Sequence, residues 1–254
     1  MFFVNLLETN LKTNFIGKKI TYYTVTDSTN DDVWELFKEG EKEGVVVISD
    51  NQKQGRGQRE NTWFSKPGHG ITCSLLIEEK FNRSSIGLHS VLIAIGIING
   101  ISDLLKINLN IKWPNDIYYK DKKIGGILIE TKFQKNKLFL NIGLGINVNE
   151  SLEDFPSDIQ NKASSIKIIL GKPVQRELLL AYILNSIEKL FNHMECSIIV
   201  DTYNNKCINV NREVSFQLNN KLEKGVFKKI NNNGQSIILF NGKNVECNGA
   251  IINL

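Results

Sequence analysis

The chain has 254 residues and a mass of 28.8 kDa, room for one large domain or a catalytic domain with a small appendage, with a core that needs no disulfides. Hydrophobic residues make up 41% and charged residues 23%, which excludes collagenous, coiled-coil and wholly disordered chains. The net charge of +4 comes from 31 basic and 27 acidic residues scattered along the chain, so a concentrated nucleic-acid-binding face is not expected, while anionic substrates stay open.

The opening MFFVNLL has no basic region before it and no small-residue cleavage site after it, so it makes a poor signal peptide and the cytoplasm is the expected compartment. Residues 20–25 (ITYYTV) read as a strand, followed by the polar turn Thr26 to Asn30 and a helix. Asp27, Ser28 and Thr29 are candidate caps of that helix, and Gly40 is its stop. Val45 to Ser49 is a continuous apolar run of buried-strand length. Asn51 to Gly70 follows as a long Gly-rich loop, a type that in compact domains is usually functional. With few apolar anchors besides Trp63 and Phe64, it is expected to open easily and to close over a ligand.

Farther on, residues 71–78 read as a strand, 84–105 as a helix, and a strand enters Lys112. The apolar run 86–105 is interrupted by His89, Ser90, Asn99 and Asp103, which fits a buried helix better than a membrane span. Residues 117–119 and 124–131 form an expected hairpin around Lys120-Asp121-Lys122, the charge run Lys120 to Lys123 reads as a solvated turn, and 137–148 adds another strand. Helices are expected from Arg176 to Met194 and on to about Tyr203. From about Val210 the chain turns Asn- and Gly-rich, with strands at 214–218, 225–230 and 236–240 that suggest a small β-barrel. The expected fold is therefore α+β, a mixed and mostly antiparallel sheet flanked by helices.

Four dispersed cysteines without a CxxC pair and three dispersed histidines argue against a zinc site, and no metal-ligating residues are assigned. Three segments carry chemistry. In Gln52 to Trp63, two glycines permit close backbone approach, Arg56 and Arg59 offer planar forks for phosphate or carboxylate, and Trp63 offers an apolar wall, although a solvated turn with incidental arginines fits the same residues. A dinucleotide fingerprint is excluded because Glu60 stands where the third glycine belongs, and no GK pair is followed by Ser or Thr. Lys112-Trp113-Pro114-Asn115-Asp116 lies between two strands, where proline forces an edge or turn. It either aims a cation into a cleft or is core tryptophan followed by plain turn. Gly143-Leu144-Gly145-Ile146-Asn147-Val148-Asn149 interrupts a strand with glycines, marking either a bulge or a close ligand approach. His69 has no partnered carboxylate or nucleophile beside it in sequence and is not assigned as a base.

Taken in order, Asp27-Ser28-Thr29-Asn30, QGRG at 54–57 with Trp63 after it, KWPND at 112–116, KIGGILIE at 123–130 and GLGINVN at 143–149 resemble the biotin protein ligases. The resemblance is strong over about residues 20–148 and weaker to Tyr203, and the Gly-punctuated tail is similar to that family's small SH3-like domain. It implies a catalytic domain at 1–207 related to class II tRNA synthetases and lipoate ligases, and an SH3-like domain at 208–254. It implies an enzyme that joins biotin to ATP as biotinyl-5'-AMP, with Mg2+, and passes the biotinyl group to a lysine of a biotin carboxyl carrier protein. The implied catalytic residues are Lys112 and Arg56. Biotin contacts are implied for Ser28, Thr29, Asn30, Gln52, Arg56, Gly57, Gln58, Lys112 and Gly126, and adenylate contacts for Arg56, Arg59, Trp63, Lys112, Asn115 and Asn147.

Two departures from the family pattern stand out. Gln58 replaces the usual second arginine of GRGR, so retention of the reactive adenylate falls to Arg59 or is weakened. The motif at Ser28 arrives after only 27 residues, which leaves no room for the DNA-binding domain that some members carry ahead of it. The expected partner is thus a carrier protein, with no nucleic acid and no membrane, and the chain is expected to be a monomer or homodimer. A lipoate ligase is the runner-up, disfavoured by the absence of an Arg-rich segment running into three glycines. A non-catalytic biotin sensor is the alternative that Gln58 keeps open.

Overall fold

The computed structural model describes residues 1–58, 61–79, 86–193, 195–219 and 221–247. Helix α1 (Val4–Asn10) is followed by β1 (Lys19–Tyr23), α2 (Thr29–Lys38), β2 (Val45–Ser49), β3 (Ile71–Glu78) and α3 (Ile86–Leu105). Then come β4 (Asn110–Lys112), β5 (Asp116–Tyr119), β6 (Lys122–Gln134), β7 (Lys137–Ile146), α4 (Ile166–Leu170), α5 (Arg176–His193) and α6 (Cys196–Lys206). Four strands close the described chain: β8 (Glu213–Leu218), β9 (Lys221–Ile230), β10 (Ser236–Phe240) and β11 (Lys243–Cys247). This is the expected α+β arrangement.

Seven strands form one sheet in the order β1-β2-β3-β7-β6-β5-β4. Only β1 and β2 run parallel, joined through α2, and every other neighbouring pair is antiparallel. Period-two alternation divides the faces. Cys73, Leu75 and Ile77 of β3 and Ile142, Leu144 and Ile146 of β7 join the large core beneath α3 and α5. Leu76 packs with Val33, Trp34 and Phe37 of α2 on the opposite face. The run Val45 to Ser49 is buried throughout because helices cover both sides of β2.

α3 is long and apolar enough to cross a bilayer by length and composition, yet most of it is buried against the sheet and α5. A Cβ on Gly96 would come within 2.6 Å of Ile187, and one on Gly100 within 2.6 Å of the Ile183 backbone, so these glycines let the two helices approach closely. The expected start of this helix at Ser84 lies outside the described residues.

Two helices were not expected. α1 buries Leu7 completely, and its Phe3 N–H donates to Glu177 Oε1 at 2.9 Å, so tertiary contacts with α5 hold a helix too short to persist alone. α4 carries its own signals, Ser165 accepting from the Ile168 N–H at 3.2 Å and Gly171 in the left-handed conformation at its end. β6 and β7 are longer than expected and meet through Lys135-Asn136, both at positive φ (48° and 61°), the geometry of a two-residue hairpin turn.

The C-terminal strands form a separate four-stranded antiparallel sheet, β11-β10-β9-β8, with one strand more than expected. Among the described residues it is open, its outer strands β8 and β11 unpaired with each other, instead of the closed barrel anticipated. It is anchored to the larger sheet where the Phe227 ring lies 6.0 Å from that of Trp113 and the Trp113 N–H donates to Asn209 Oδ1 at 2.8 Å.

Candidate active site

The parallel pair β1–β2 brings the first two motifs together. Beyond the strand ends, Thr26 bridges Gln52, and the N–H groups of Lys53 and Gln54 donate to the carbonyls of Thr26 and Asp27. The turn before α2 and the start of the Gly-rich loop therefore run side by side. Ser28 occupies the N-cap position of α2 without using its hydroxyl as a cap, and that buried side chain lines a cavity of about 300 Å³. This volume lies at the lower end of the range for small-molecule sites.

The cavity floor is neutral and polar. Thr29 N–H donates to Gln52 Oε1 at 2.8 Å, which fixes the orientation of that amide. Thr29 Oγ1 lies 2.7 Å from Ser74 Oγ, and Ser74 Oγ donates to Asn30 Oδ1 at 2.5 Å. Asn141 Nδ2 holds the Asn30 carbonyl at 2.7 Å. Asn30 Nδ2 is left buried with no partner among the described residues. An unpaired buried donor costs about 1–3 kcal/mol, and a ligand carbonyl would relieve it.

Gly143 and Gly145 stand on β7 with no bulge in the register on either side. A Cβ at Gly143 would meet Asn30 Oδ1 at 2.5 Å, and one at Gly145 would meet the Trp63 ring at 2.4 Å. The register thus has no bulge here, and protein side chains take up the space that the glycines leave. Trp63 forms a cavity wall over the sheet, with its Nε1 buried and without a partner among the described residues.

Backbone hydrogen bonds link the described parts of the loop. Gly57 N–H donates to the Asn61 carbonyl at 2.6 Å and Trp63 N–H to the Gly55 carbonyl at 2.9 Å, and Arg56 bridges Thr62, making a small hairpin. Gly55 is required there, since a Cβ would meet the Trp63 carbonyl at 2.6 Å. Gly57 and Gln58 line the cavity, whereas Arg59 lies outside the described residues.

Arg56 uses its fork on carboxylates of the chain itself. Its guanidinium grips Asp31 through two bonds of 2.7 and 2.8 Å and reaches Glu130 at 3.2 Å. These carboxylates raise its already high pKa and keep it charged, and its fork holds the Asp31 carboxyl below the usual range. The other Glu130 oxygen accepts from Trp34 Nε1 at 2.8 Å.

Lys112 closes β4 and lines the cavity, as a strand-end cation should. Burial lowers its pKa, Asp116 opposes that shift and Lys123 adds to it. Its Nζ lies 5.6 Å from the Tyr118 ring centre, and burial pushes the Tyr118 hydroxyl up to about 12. Trp113 is core, 4% exposed, and the Trp113–Pro114 peptide is cis. Asn115 clamps β6, its Nδ2 donating to the Ile127 carbonyl at 2.6 Å. Asn147 lies outside the cavity lining, buried, with its Nδ2 donating to the Ser164 carbonyl at 3.0 Å. His69 is likewise outside, its Nδ1 facing the Pro67 carbonyl at 3.0 Å.

Two charged wall residues carry no role in the sequence reading, Asp116 and Lys123, which pair at 2.6 Å above Gly126. Simple alternation from Gly126 would put Lys123 on the other face. A bulge between β5 and β6, where Ile117 pairs with Gly125 but Tyr118 with Lys123, turns it into the cavity. The described residues contain no cluster of three or more His, Cys, Asp or Glu able to hold a metal ion.

Residues 22–147 match the model of the biotin/lipoate A/B protein ligase family. The chain is 33% identical over 182 residues to the bifunctional ligase/repressor BirA of Bacillus subtilis, covering 71% of this chain and 56% of that protein. It is 31% identical over 208 residues to the human biotin–protein ligase, covering 76% of this chain and 28% of that one. The chain thus spans little more than half the length of its Bacillus relative. Among solved structures, the biotin protein ligase of Aquifex aeolicus in complex with biotin and ATP shares the fold, with a TM-score of 0.79 at 24% identity over 93% of this chain and 98% of that one. The R40G mutant of that ligase with biotin gives 0.77 at 25% identity, over 92% and 95% of the two chains.

Proposed function

We propose that this chain, whose residues 22–147 match the biotin/lipoate A/B protein ligase model, is an ATP-dependent ligase that makes biotinyl-5'-AMP and transfers biotin to a lysine of a biotin carboxyl carrier protein. The observation that carries this reading is one cavity that joins a neutral polar floor, buried Thr29 and Asn30 with half-buried Gln52, to the Lys112 cation. A ureido ring needs carbonyl acceptors matched by donors and N–H groups matched by acceptors. The unpaired Asn30 Nδ2 and the hydroxyls of Ser28 and Thr29 offer both. Buried polar groups discriminate strongly, because an analogue that leaves them unpaired loses binding.

In the first step a biotin carboxylate oxygen attacks the ATP α-phosphate, forming the mixed anhydride and releasing pyrophosphate. Two anions must approach each other, and Lys112 is the cation that offsets their repulsion and the charge developing in the transition state. Trp63, Gly57 and Gln58 wall the site and exclude water from a hydrolysable product. Arg56 acts through the hairpin it fastens to Asp31 and Glu130, and Asn115 and Asn147 act by fixing the strands around the site. No resident metal cage fits these residues, since Asp116 is the one carboxylate among the described lining residues and is paired to Lys123. Mg2+ would enter as the counter-ion of ATP.

We assign residues 1–207 to the catalytic domain and 208–254 to an SH3-like module, and the cytoplasm as the compartment. The test is biotin-dependent exchange of labelled pyrophosphate into ATP, repeated with lipoate. Exchange with biotin alone is the expected result. Exchange with lipoate alone would make the chain a lipoate ligase, and biotin binding without exchange would make it a sensor.

A further inference from the structure

We propose that Asn209 is a positioning residue for the first step of the reaction, fixing the backbone from which Lys112 reaches the two anions, an inference that rests on the ligase reading above. β4 is three residues long and lies at the edge of the seven-stranded sheet, with Lys112 as its last residue and the last rung of its ladder to β5. A strand this short holds its final side chain loosely unless something grips its open edge. Among the described residues lining the cavity, none lies between 203 and 209, yet that segment supplies the grip.

Three backbone groups around Lys112 are held from there. Ile208 N–H donates to the Ile111 carbonyl at 2.9 Å, Trp113 N–H donates to Asn209 Oδ1 at 2.8 Å, and the Tyr203 hydroxyl donates to the Pro114 carbonyl at 3.3 Å. The first two bonds decide where the lysine points. The Ile111 carbonyl and the Trp113 N–H belong to the two planar peptides that flank the Lys112 Cα. With both planes held, φ and ψ of Lys112 are fixed, and with them the direction in which its side chain leaves the strand toward the cavity. The Ile208 bond is backbone to backbone, so Asn209 is the side chain on which this orientation depends.

The surroundings of Asn209 single out that bond. Its side chain is fully buried, its Oδ1 also lies 3.7 Å from Cys207 Sγ, and its Nδ2 has no partner among the described residues. A buried donor left unpaired lowers stability, so the amide serves through its oxygen. Cys207 bridges Ile111 and Arg212 N–H donates to the Asn209 carbonyl at 3.0 Å, so the amide is presented from backbone held on both sides. Displacing a catalytic group by about 1 Å costs on the order of 100-fold in rate without removing it. Loss of the Asn209 oxygen would displace the Lys112 ammonium in this way.

The experiment measures biotin-dependent pyrophosphate exchange at saturating biotin and ATP in Asn209→Leu, which removes the acceptor at similar volume, and in Asn209→Ala, which removes it with less bulk. Each is made alone and combined with Lys112→Ala, and near-ultraviolet circular dichroism reports the fold. In a folded single variant the exchange rate should fall by about 10- to 100-fold. On the Lys112→Ala background the same substitution should change the rate by less than about 2-fold, because the group it positions is gone. A merely structural role predicts the same loss on both backgrounds, and that result overturns the assignment. So does near-native exchange in a folded single variant. Failure of both single variants to fold would make Asn209 a folding residue and overturn it too. Absence of biotin-dependent exchange in the native chain would instead overturn the ligase reading, and this inference with it.

Discussion

Arg56 and Asp31 face each other as a fork on a carboxylate, Nη1 to Oδ2 at 2.7 Å and Nη2 to Oδ1 at 2.8 Å, tying the tip-forming loop to the first turn of α2. The two side chains are 40% and 53% exposed, so the pair contributes roughly 0.2–1 kcal/mol to global stability. Its effect is local. Because Arg56 lowers the Asp31 pKa, the pair is intact above the ordinary carboxylate range and is lost only as pH falls through the lowered value. Asp31→Asn should therefore speed amide exchange at residues 55–57 and 61–63 at neutral pH while moving the Tm little. Unchanged protection there would show that the backbone hydrogen bonds alone hold the hairpin.

Lys112→Ala should lower biotin-dependent pyrophosphate exchange by about 100- to 1000-fold while circular dichroism and Tm stay near native. Burial lowers the Lys112 pKa, so its charge is lost at a lower pH than for an exposed lysine. Exchange should fall on the alkaline side in step with that loss. Near-native turnover in the folded variant removes Lys112 from its role.

Alanine at Gly145 would place Cβ 2.4 Å from the Trp63 ring, a rigid neighbour that must swing away. Gly145→Ala should raise the Kd for biotin and increase the exposure of Trp63, measured by calorimetry and by acrylamide quenching of tryptophan fluorescence. Native affinity would mean that the indole wall is dispensable.

Gln58 lines the cavity, at a place where the sequence resemblance implies an arginine. Gln58→Arg should lengthen the residence time of biotinyl-adenylate after ATP is removed, by adding a cation beside the phosphate. A residence time that is unchanged or shorter would show that another group already retains it.

Glu150 is fully buried, and burial raises its pKa. A raised carboxyl favours the fold at low pH, and that contribution is lost as pH rises through the folded value. Glu150→Gln should thus gain Tm over the native chain as pH increases from about 5 to 8, with the two closest at the acid end. A constant difference across that range would show that Glu150 does not titrate there.

Much of this protein is legible in its sequence because local physics writes it there. Strands 45–49 and 71–78 stand where their apolar runs place them, since burial on both faces leaves a continuous signature. The three chemical segments were marked by residues whose use depends on type: glycine for approach, lysine at a strand end, tryptophan as a wall. Tertiary structure decided the rest. α1 exists through its contacts with α5, and the carboxylates that the Arg56 fork grips, Asp31 and Glu130, lie 25 and 74 residues away, beyond the reach of local sequence patterns. Lys123 looked like part of a solvated charge run until the bulge at Ile124 changed the parity of β6 and turned it toward Asp116. Alternation along a strand reads faces only while the register is regular, and one extra residue, whose cost and benefit lie in the neighbouring strand, reverses them.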